Sequence, residues 1–150
     1  MRLLYPIGLL IVLASCSEPT AGAPVHDLDA IQVSVRVQPA SIVAGTAANV
    51  VLTLKNTSLR PVEISACPIY FWVQGSNGEI VGGSNLILCF AGSFVYQPLR
   101  FRPLETKTLM STWSAAETQN VPAGAYDVFG WVNDAAHRSA AAHITVQSAN

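Results

Sequence analysis

The sequence predicts an all-β fold, an antiparallel β-sandwich, and three observations carry that prediction. From Ile31 onward, apolar residues recur at every second position, as in strands with one oily face. The runs are short and are separated at regular intervals by clusters of Gly, Pro, Asn and Ser. No long stretch keeps a helical period. At 150 residues the chain has room for one domain.

The elements follow in order. Ile31, Val33, Val35 and Val37 alternate with Gln32, Ser34, Arg36 and Gln38, and Pro39 closes this first strand. After "AGTAAN", Val50, Leu52 and Leu54 alternate with Val51, Thr53 and Lys55. Asn56-Thr57-Ser58 is turn chemistry, and its match to a glycosylation sequon is read as incidental. Val62 and Ile64 belong to a third strand, and "IYFWVQ" (69 to 74) to a fourth. Asn77-Gly78 then predicts a two-residue type I′ hairpin turn, because both residue types tolerate positive φ. Further strands are expected at 86 to 90, 94 to 101, 105 to 113, 125 to 133 and 139 to 147, the last with Ile144 and Val146 on one face.

Within "VPAGAYDVFGWV" (121 to 132) a tyrosine follows a Pro-Ala-Gly turn at the head of a strand. This resembles the tyrosine corner of immunoglobulin-like folds, in which the phenol reaches back to backbone before the strand. The resemblance makes the sandwich immunoglobulin-like and gives Tyr126 a structural role.

The N-terminus is of another kind. Arg2 precedes an apolar run, Leu3 to Ala14, interrupted by Pro6 and Gly8. Crossing a bilayer takes roughly 20 apolar residues, so the run has the length of a signal-peptide core, not of an anchor. It ends in Leu13-Ala14-Ser15-Cys16, which resembles the lipobox of bacterial lipoproteins. The resemblance implies cleavage before Cys16, a diacylglyceryl thioether on its sulfur and attachment to a membrane through those chains. Two or three acyl chains, at about 0.8 kcal/mol per buried methylene, hold a protein on a membrane stably. The expected organisation is a signal peptide (1 to 15), the lipidated cysteine and a flexible tether rich in Pro, Gly, Ala and Ser (16 to 30), and the sandwich (31 to 150).

With Cys16 assigned, Cys67 and Cys89 remain in an exported domain, where an even pair predicts a disulfide. Its loop constrains the unfolded chain by roughly 3 kcal/mol.

From about Leu52 to Val132 the chain resembles the BsuPI-like domains, a bacterial family of intracellular proteinase inhibitors. The matching features are "LKNTSLRPVEI", the aromatic strand before "NGEIV", Phe94 before the "FRPLET" turn, Trp113 and "PAGAYDVFG". That family usually carries Pro-Gly-Glu-Thr at the turn, where this chain has Leu104 in the glycine position. These are turn and core residues, so the resemblance implies an immunoglobulin-like fold more strongly than it implies inhibition.

Composition and motifs narrow the function. Net charge is −1, and losing Arg2 with the signal peptide leaves seven basic against nine acidic side chains. That balance offers no footprint for nucleic acid, and Arg100 with Arg102 reads as two solvated side chains on one strand face. No nucleophile elbow, zinc-protease motif or phosphate loop is present, which predicts no catalytic residues, no cofactor and no metal. His26 falls in the tether, and His137 and His143 would lie roughly 20 Å apart along one strand, too far to share a metal.

What stands out is an aromatic cluster: Tyr70, Phe71, Trp72, Phe90, Phe94, Tyr96 and Phe101. Consecutive strand residues cannot share a side, so Phe71 or its two neighbours bury against the second sheet. Any exposed part makes 84 to 101 the natural interaction surface. The expected function is a non-enzymatic, membrane-tethered module that binds or scaffolds an envelope protein. Two alternatives are an inhibitor of an extracytoplasmic protease, using a loop within 84 to 101, and a carbohydrate binder. The last requires coplanar exposed rings, and the exposure of Trp72, Trp113 and Trp131 decides it.

Overall fold

A computed structural model describes residues 22–65, 67–87, 98–114, 118 and 120–149, and its regular elements are strands throughout. They are β1 (Val25–His26), β2 (Ile31–Gln38), β3 (Ser41–Val43), β4 (Ala48–Asn56), β5 (Val62–Ile64), β6 (Ile69–Gly75), β7 (Ile80–Ile87), β8 (Leu99–Phe101), β9 (Thr106–Trp113), β10 (Gly124–Val132), β11 (Asp134–Arg138) and β12 (Ala142–Gln147). A large sheet runs β3-β12-β10-β6-β7, with β11 added on β10, and a second sheet runs β2-β4-β9. A third, small sheet runs β1-β5-β8.

Alternation explains how the sheets face one another. On β4, Val50, Leu52 and Leu54 are wholly buried, whereas Lys55 is exposed. One core cluster joins Val37, Val50 and Trp113 of the second sheet to Phe71, Val73, Val128 and Ile144 of the large sheet. A second cluster joins Leu52, Leu54, Ile69 and Val132 to Val62, Ile64 and Phe101 of the small sheet, which closes one end of the core. Each fully buried aliphatic or aromatic side chain here is worth about 1.5–3 kcal/mol. The two main sheets approach closely at Gly130, where an added Cβ would overlap Leu52 Cδ1.

Several details differ from the sequence-based expectation. Not every pair is antiparallel, since β12–β3 and β1–β5 run parallel at sheet edges. The folded part begins before residue 31: Val25 pairs with Val62, and Leu28 and Ala30 pack into the second cluster. The six residues ending the expected tether therefore dock, drawn in by apolar side chains among the polar ones. The hairpin at Asn77-Gly78 joins β6 to β7, but its turn is not type I′. Only Gly78 has positive φ there (85°), and Gly78 N–H donates to Gly75 O (2.9 Å) while Gly75 N–H donates to Glu79 O (2.9 Å). That is a type I turn closed by a glycine bulge. Of the strand expected at 86 to 90, the described residues 86 and 87 end β7, which starts at Ile80, and of the strand expected at 94 to 101, residues 99–101 form β8. Residues 88–97, including Cys89, Phe90, Phe94 and Tyr96, lie outside the described residues.

The strand expected at 139 to 147 is β12, which starts only at Ala142, and β11 before it was not expected. Ser139 stands between the two, where its N–H donates to Gly130 O (2.9 Å) and its Oγ accepts from Gly130 N–H (2.9 Å). The turn before β9 places Pro103 and Leu104 between Arg102 O and Glu105 N–H (3.1 Å), with Leu104 at φ 59°. This is the pattern of a type II turn, which favours glycine at the position that Leu104 holds.

Candidate functional site

On β6, Ile69, Phe71 and Val73 point into the core, so Tyr70, Trp72 and Gln74 point to the opposite face of the large sheet. On β10, Tyr126, Val128 and Val132 point inward, which turns Phe129 and Trp131 outward. Register sets the outward rings directly opposite each other, Trp131 against Tyr70 and Phe129 against Trp72. The result is a quartet of aromatic rings on the outer face.

Its geometry is close-packed. Tyr70 and Trp131 stack at 5.1 Å between centroids with 26° between planes, and Trp72 and Phe129 stack at 5.5 Å and 28°. Trp72 and Trp131 meet at 4.6 Å but are tilted by 58°. β11 brings Arg138 opposite Trp131, and its guanidinium lies 4.8 Å from the Phe129 ring centre, a cation–π contact. Burial raises the Tyr70 pKa above its ordinary value, so the phenol stays neutral. The Trp131 indole N–H is buried without a hydrogen-bond partner. Chemically the face offers apolar area and one exposed cation, and among the described residues it holds no nucleophile or paired carboxylates.

The residues singled out in the sequence are dispersed. Cys16 and Cys89 lie outside the described residues, while Cys67 is in a disulfide. Phe71 and Phe101 are core residues. Trp113 is fully buried and meets Tyr126 edge-on at 6.2 Å. The Tyr126 hydroxyl donates to Pro122 O at 2.7 Å, the backward reach expected of it. Arg100 is exposed but pairs with Glu63 at 2.7 Å.

His137 and His143 fall on different strands, not on one. His143 Nδ1 meets Asp127 at 2.6 Å. His137 lies between Asp134 (Nδ1, 2.7 Å) and Asp29 (Nε2, 2.9 Å), which raises its pKa chiefly through the Asp134 hydrogen bond. The third histidine, His26, faces Glu63 at 3.5 Å. Among the described residues no cluster of His, Cys, Asp and Glu is suited to a metal ion.

Sequence reasoning missed Phe129, Trp131 and Arg138 as parts of one surface. The signal was present in "YDVFGWV", where the positions alternating with Tyr126, Val128 and Val132 are themselves aromatic.

No family model and no curated protein matches the chain. Among solved structures it is similar to the alkylpurine DNA glycosylase AlkC of Pseudomonas fluorescens, bound to DNA with an abasic site analogue. The identity is 16% and the TM-score 0.52, over 79% of this chain and 30% of that one. It is also similar to a β-glucosidase of Erythrobacter marinus, with 13% identity and TM-score 0.50, over 78% of this chain and 15% of that one. The chain thus spans less than a third of the length of either enzyme, and at these identities the likeness concerns the fold alone. The all-β architecture itself is shown by the strands of the described residues.

Proposed function

We propose that this chain is an exported lipoprotein, held on a bacterial membrane by acyl chains on Cys16, whose immunoglobulin-like sandwich binds an envelope protein without catalysing a reaction. The observation that carries the binding part is the outer aromatic face, where the half-buried Tyr70, Phe129 and Trp131 pack around the buried Trp72 beside the exposed Arg138. Aromatic rings and arginine are the residues most enriched where protein interfaces are tightest. The partner this surface fits presents an apolar anchor next to a carboxylate.

The immunoglobulin-like assignment is supported by the Tyr126 bond to Pro122 O and by the BsuPI-like turns. A staple between Cys67 and Cys89 belongs to the same reading, as does an oxidising compartment. Carbohydrate binding is less well supported: Trp113 is wholly buried, Trp72 is only 7% exposed, and the 58° tilt between Trp72 and Trp131 denies a sugar one flat platform.

The test uses a photo-crosslinking residue at Trp131 in the membrane-bound chain, with Thr108 on the second sheet as control site. A discrete protein adduct at 131, absent at 108 and weakened by Arg138→Glu, supports the reading; equal labelling at both sites refutes it. For the anchor, mass spectrometry should find acyl chains on Cys16, and Cys16→Ser should release the protein from membranes. An unmodified sulfur there refutes the address.

A further inference from the structure

We propose that the end of the domain closed by the small sheet docks on an anionic bilayer, with Leu59 and Leu104 entering the lipid interface and Arg60 and Arg102 engaging lipid phosphates. The inference deepens the membrane address proposed above, but its geometry stands on its own residues.

Large apolar side chains gather at this end without burial. Leu59 is 79% exposed and Leu104 53% exposed, on two loops that meet where Leu104 N–H donates to Ser58 O at 3.2 Å. Val25, also exposed, is tied to the same place by its N–H bond to Pro61 O at 3.1 Å. The two loops are held in register from below by Asn56, whose Nδ2 donates to Arg60 O (2.8 Å) and Arg102 O (2.9 Å). They are fixed tips, not loose ends.

Leu104 is the telling residue. A leucine at φ 59° strains its own backbone, and glycine would remove the strain. Burial gives nothing back, because half of the side chain faces solvent. Strain held at an exposed position points to a task outside the fold.

Charge completes the surface. An open cleft of about 740 Å³ lies beside the leucines, lined in part by Gly22, Pro24, Pro61, Arg100, Arg102 and Lys107. Two carboxylates are near, and both are engaged. Glu105 accepts from Arg102 N–H (2.6 Å) and Lys107 Nζ (3.1 Å), and Glu63 accepts from Arg100 Nε (2.7 Å). The Arg102 and Arg60 side chains are exposed and have no carboxylate partner among the described residues. Apolar tips ringed by arginine match a lipid interface, where the tip enters the acyl boundary and the cation stays with the phosphates.

The chain's own course supplies the occupant. Gly22 and Pro24 line this cleft, so the N-terminal segment enters the fold here. Cys16 is six residues upstream of Gly22, within about 20 Å at full extension. A lipid on Cys16 therefore holds this end nearest the bilayer.

The test uses the full chain with Cys16→Ser, so that no acyl chain contributes, sedimented with vesicles. Phosphatidylglycerol/phosphatidylcholine vesicles should bind it, phosphatidylcholine alone should bind it far more weakly, and salt should weaken the difference. Arg60→Gln with Arg102→Gln should lower the partition coefficient about twenty-five-fold, fivefold per charge. Leu59→Ser and Leu104→Gly should each lower it about tenfold. Leu104→Gly should do so while leaving Tm unchanged or raised, an outcome a merely structural leucine does not give. Equal binding to both vesicle types, or leucine variants that bind like the parent, would overturn the proposal. So would binding that millimolar inorganic phosphate abolishes while the leucine variants keep it, which would make the cleft a small-anion site. Acylation is read separately on the native chain, so an unmodified Cys16 would refute the anchor and leave the docking result standing.

Discussion

Replacing Asn56 by Asp tests how this fold ties its loops. The Asn56 side chain is wholly buried, yet it makes four hydrogen bonds. Nδ2 donates to Arg60 O (2.8 Å) and Arg102 O (2.9 Å), while Oδ1 accepts from Ser58 N–H (2.9 Å) and Ser58 Oγ (2.8 Å). Aspartate has the same shape and keeps the two Ser58 bonds. It also sets a second, donorless acceptor against two carbonyls that each keep one other donor, Ser58 Oγ for Arg60 O and Glu105 N–H for Arg102 O (3.1 Å each). The two lost bonds are worth about 0.5–1.5 kcal/mol each and the new unsatisfied buried oxygen costs about 1–3 kcal/mol, so Asn56→Asp should lose about 2–6 kcal/mol at neutral pH. At about 4 °C per kcal/mol for a domain of this size, the Tm falls by at least about 8 °C.

The pH dependence identifies the mechanism. Burial and the two facing carbonyls raise the folded-state pKa of the new Asp above its unfolded value. A raised carboxyl pKa means that the fold favours the protonated form. The deficit is therefore largest above the folded pKa and shrinks as pH falls through it, when the acid O–H can donate to one carbonyl. Asn56→Ala loses all four bonds without gaining a titrating group, and its deficit should not vary in this way. Urea unfolding, followed by near-UV circular dichroism of the buried Trp113 between pH 5 and 8 with wild type at each pH, reads both variants. A loss below about 1 kcal/mol for Asn56→Asp at neutral pH, or the same pH profile for both variants, would refute the reasoning. The same burial predicts that the Asn56-Thr57-Ser58 sequon accepts no glycan once the chain is folded.

Three further outcomes follow from single contacts. Gly130→Ala should lose about 1–3 kcal/mol by urea titration, since its Cβ overlaps Leu52 Cδ1, and Leu52→Val in the same chain should restore part of it; full stability of the single variant would deny the close approach. Tyr126→Phe removes the 2.7 Å bond to Pro122 O and should cost about 1 kcal/mol, whereas an unchanged midpoint would leave the corner without a stabilising role. His137 has a raised pKa, so its tie to Asp29 is fully present below the ordinary imidazole value of 6.5 and is lost as pH rises through the higher folded value. Asp134 is lowered by its His137 bond, so its share holds above 3.8 and is lost as pH falls through the lower folded value. Hydrogen-exchange protection across residues 24 to 30, taken relative to the unfolded peptide at each pH, should accordingly fall between pH 6 and 9, and His137→Gln should abolish that dependence; an equal fall in the variant would sink the latch.

Much of the fold was legible because alternation survives burial. Ile31 to Val37 and Val50 to Leu54 present the faces their period dictates, and β9 and β10 begin and end within a residue of expectation. Short elements escaped. β3 is three residues long, and its ladder with β12 depends on a partner about a hundred positions away. β1 was hidden within a stretch whose composition reads as tether, since two residues carry no period. The hairpin at Asn77-Gly78 was legible, but its turn type was not: Asn tolerates positive φ without requiring it, and Gly78 alone supplies it. For the aromatic face, period two placed Phe71 apart from Tyr70 and Trp72. Only register could set Phe129 and Trp131 opposite them, and register is a long-range property.

The position of the two proposed surfaces along the strands bears on what kind of partner fits. β6 and β10 run from the end closed by the small sheet, where Ile69 and Val132 pack with Val62 and Phe101, to the far end, where Gly75 stands opposite Tyr126. The aromatic pairs Tyr70–Trp131 and Trp72–Phe129 occupy the half nearer the small sheet. That is the end that carries Leu59, Leu104 and the arginines. With this end seated on lipid, the aromatic face stands upright beside the bilayer, at a height of a few strand residues, about 10 Å. A partner reaching it from solution has to fit between sheet and membrane. A partner anchored in the same membrane meets it sideways, with both search and orientation confined to two dimensions. The two proposals together therefore favour a membrane-bound partner over a soluble one.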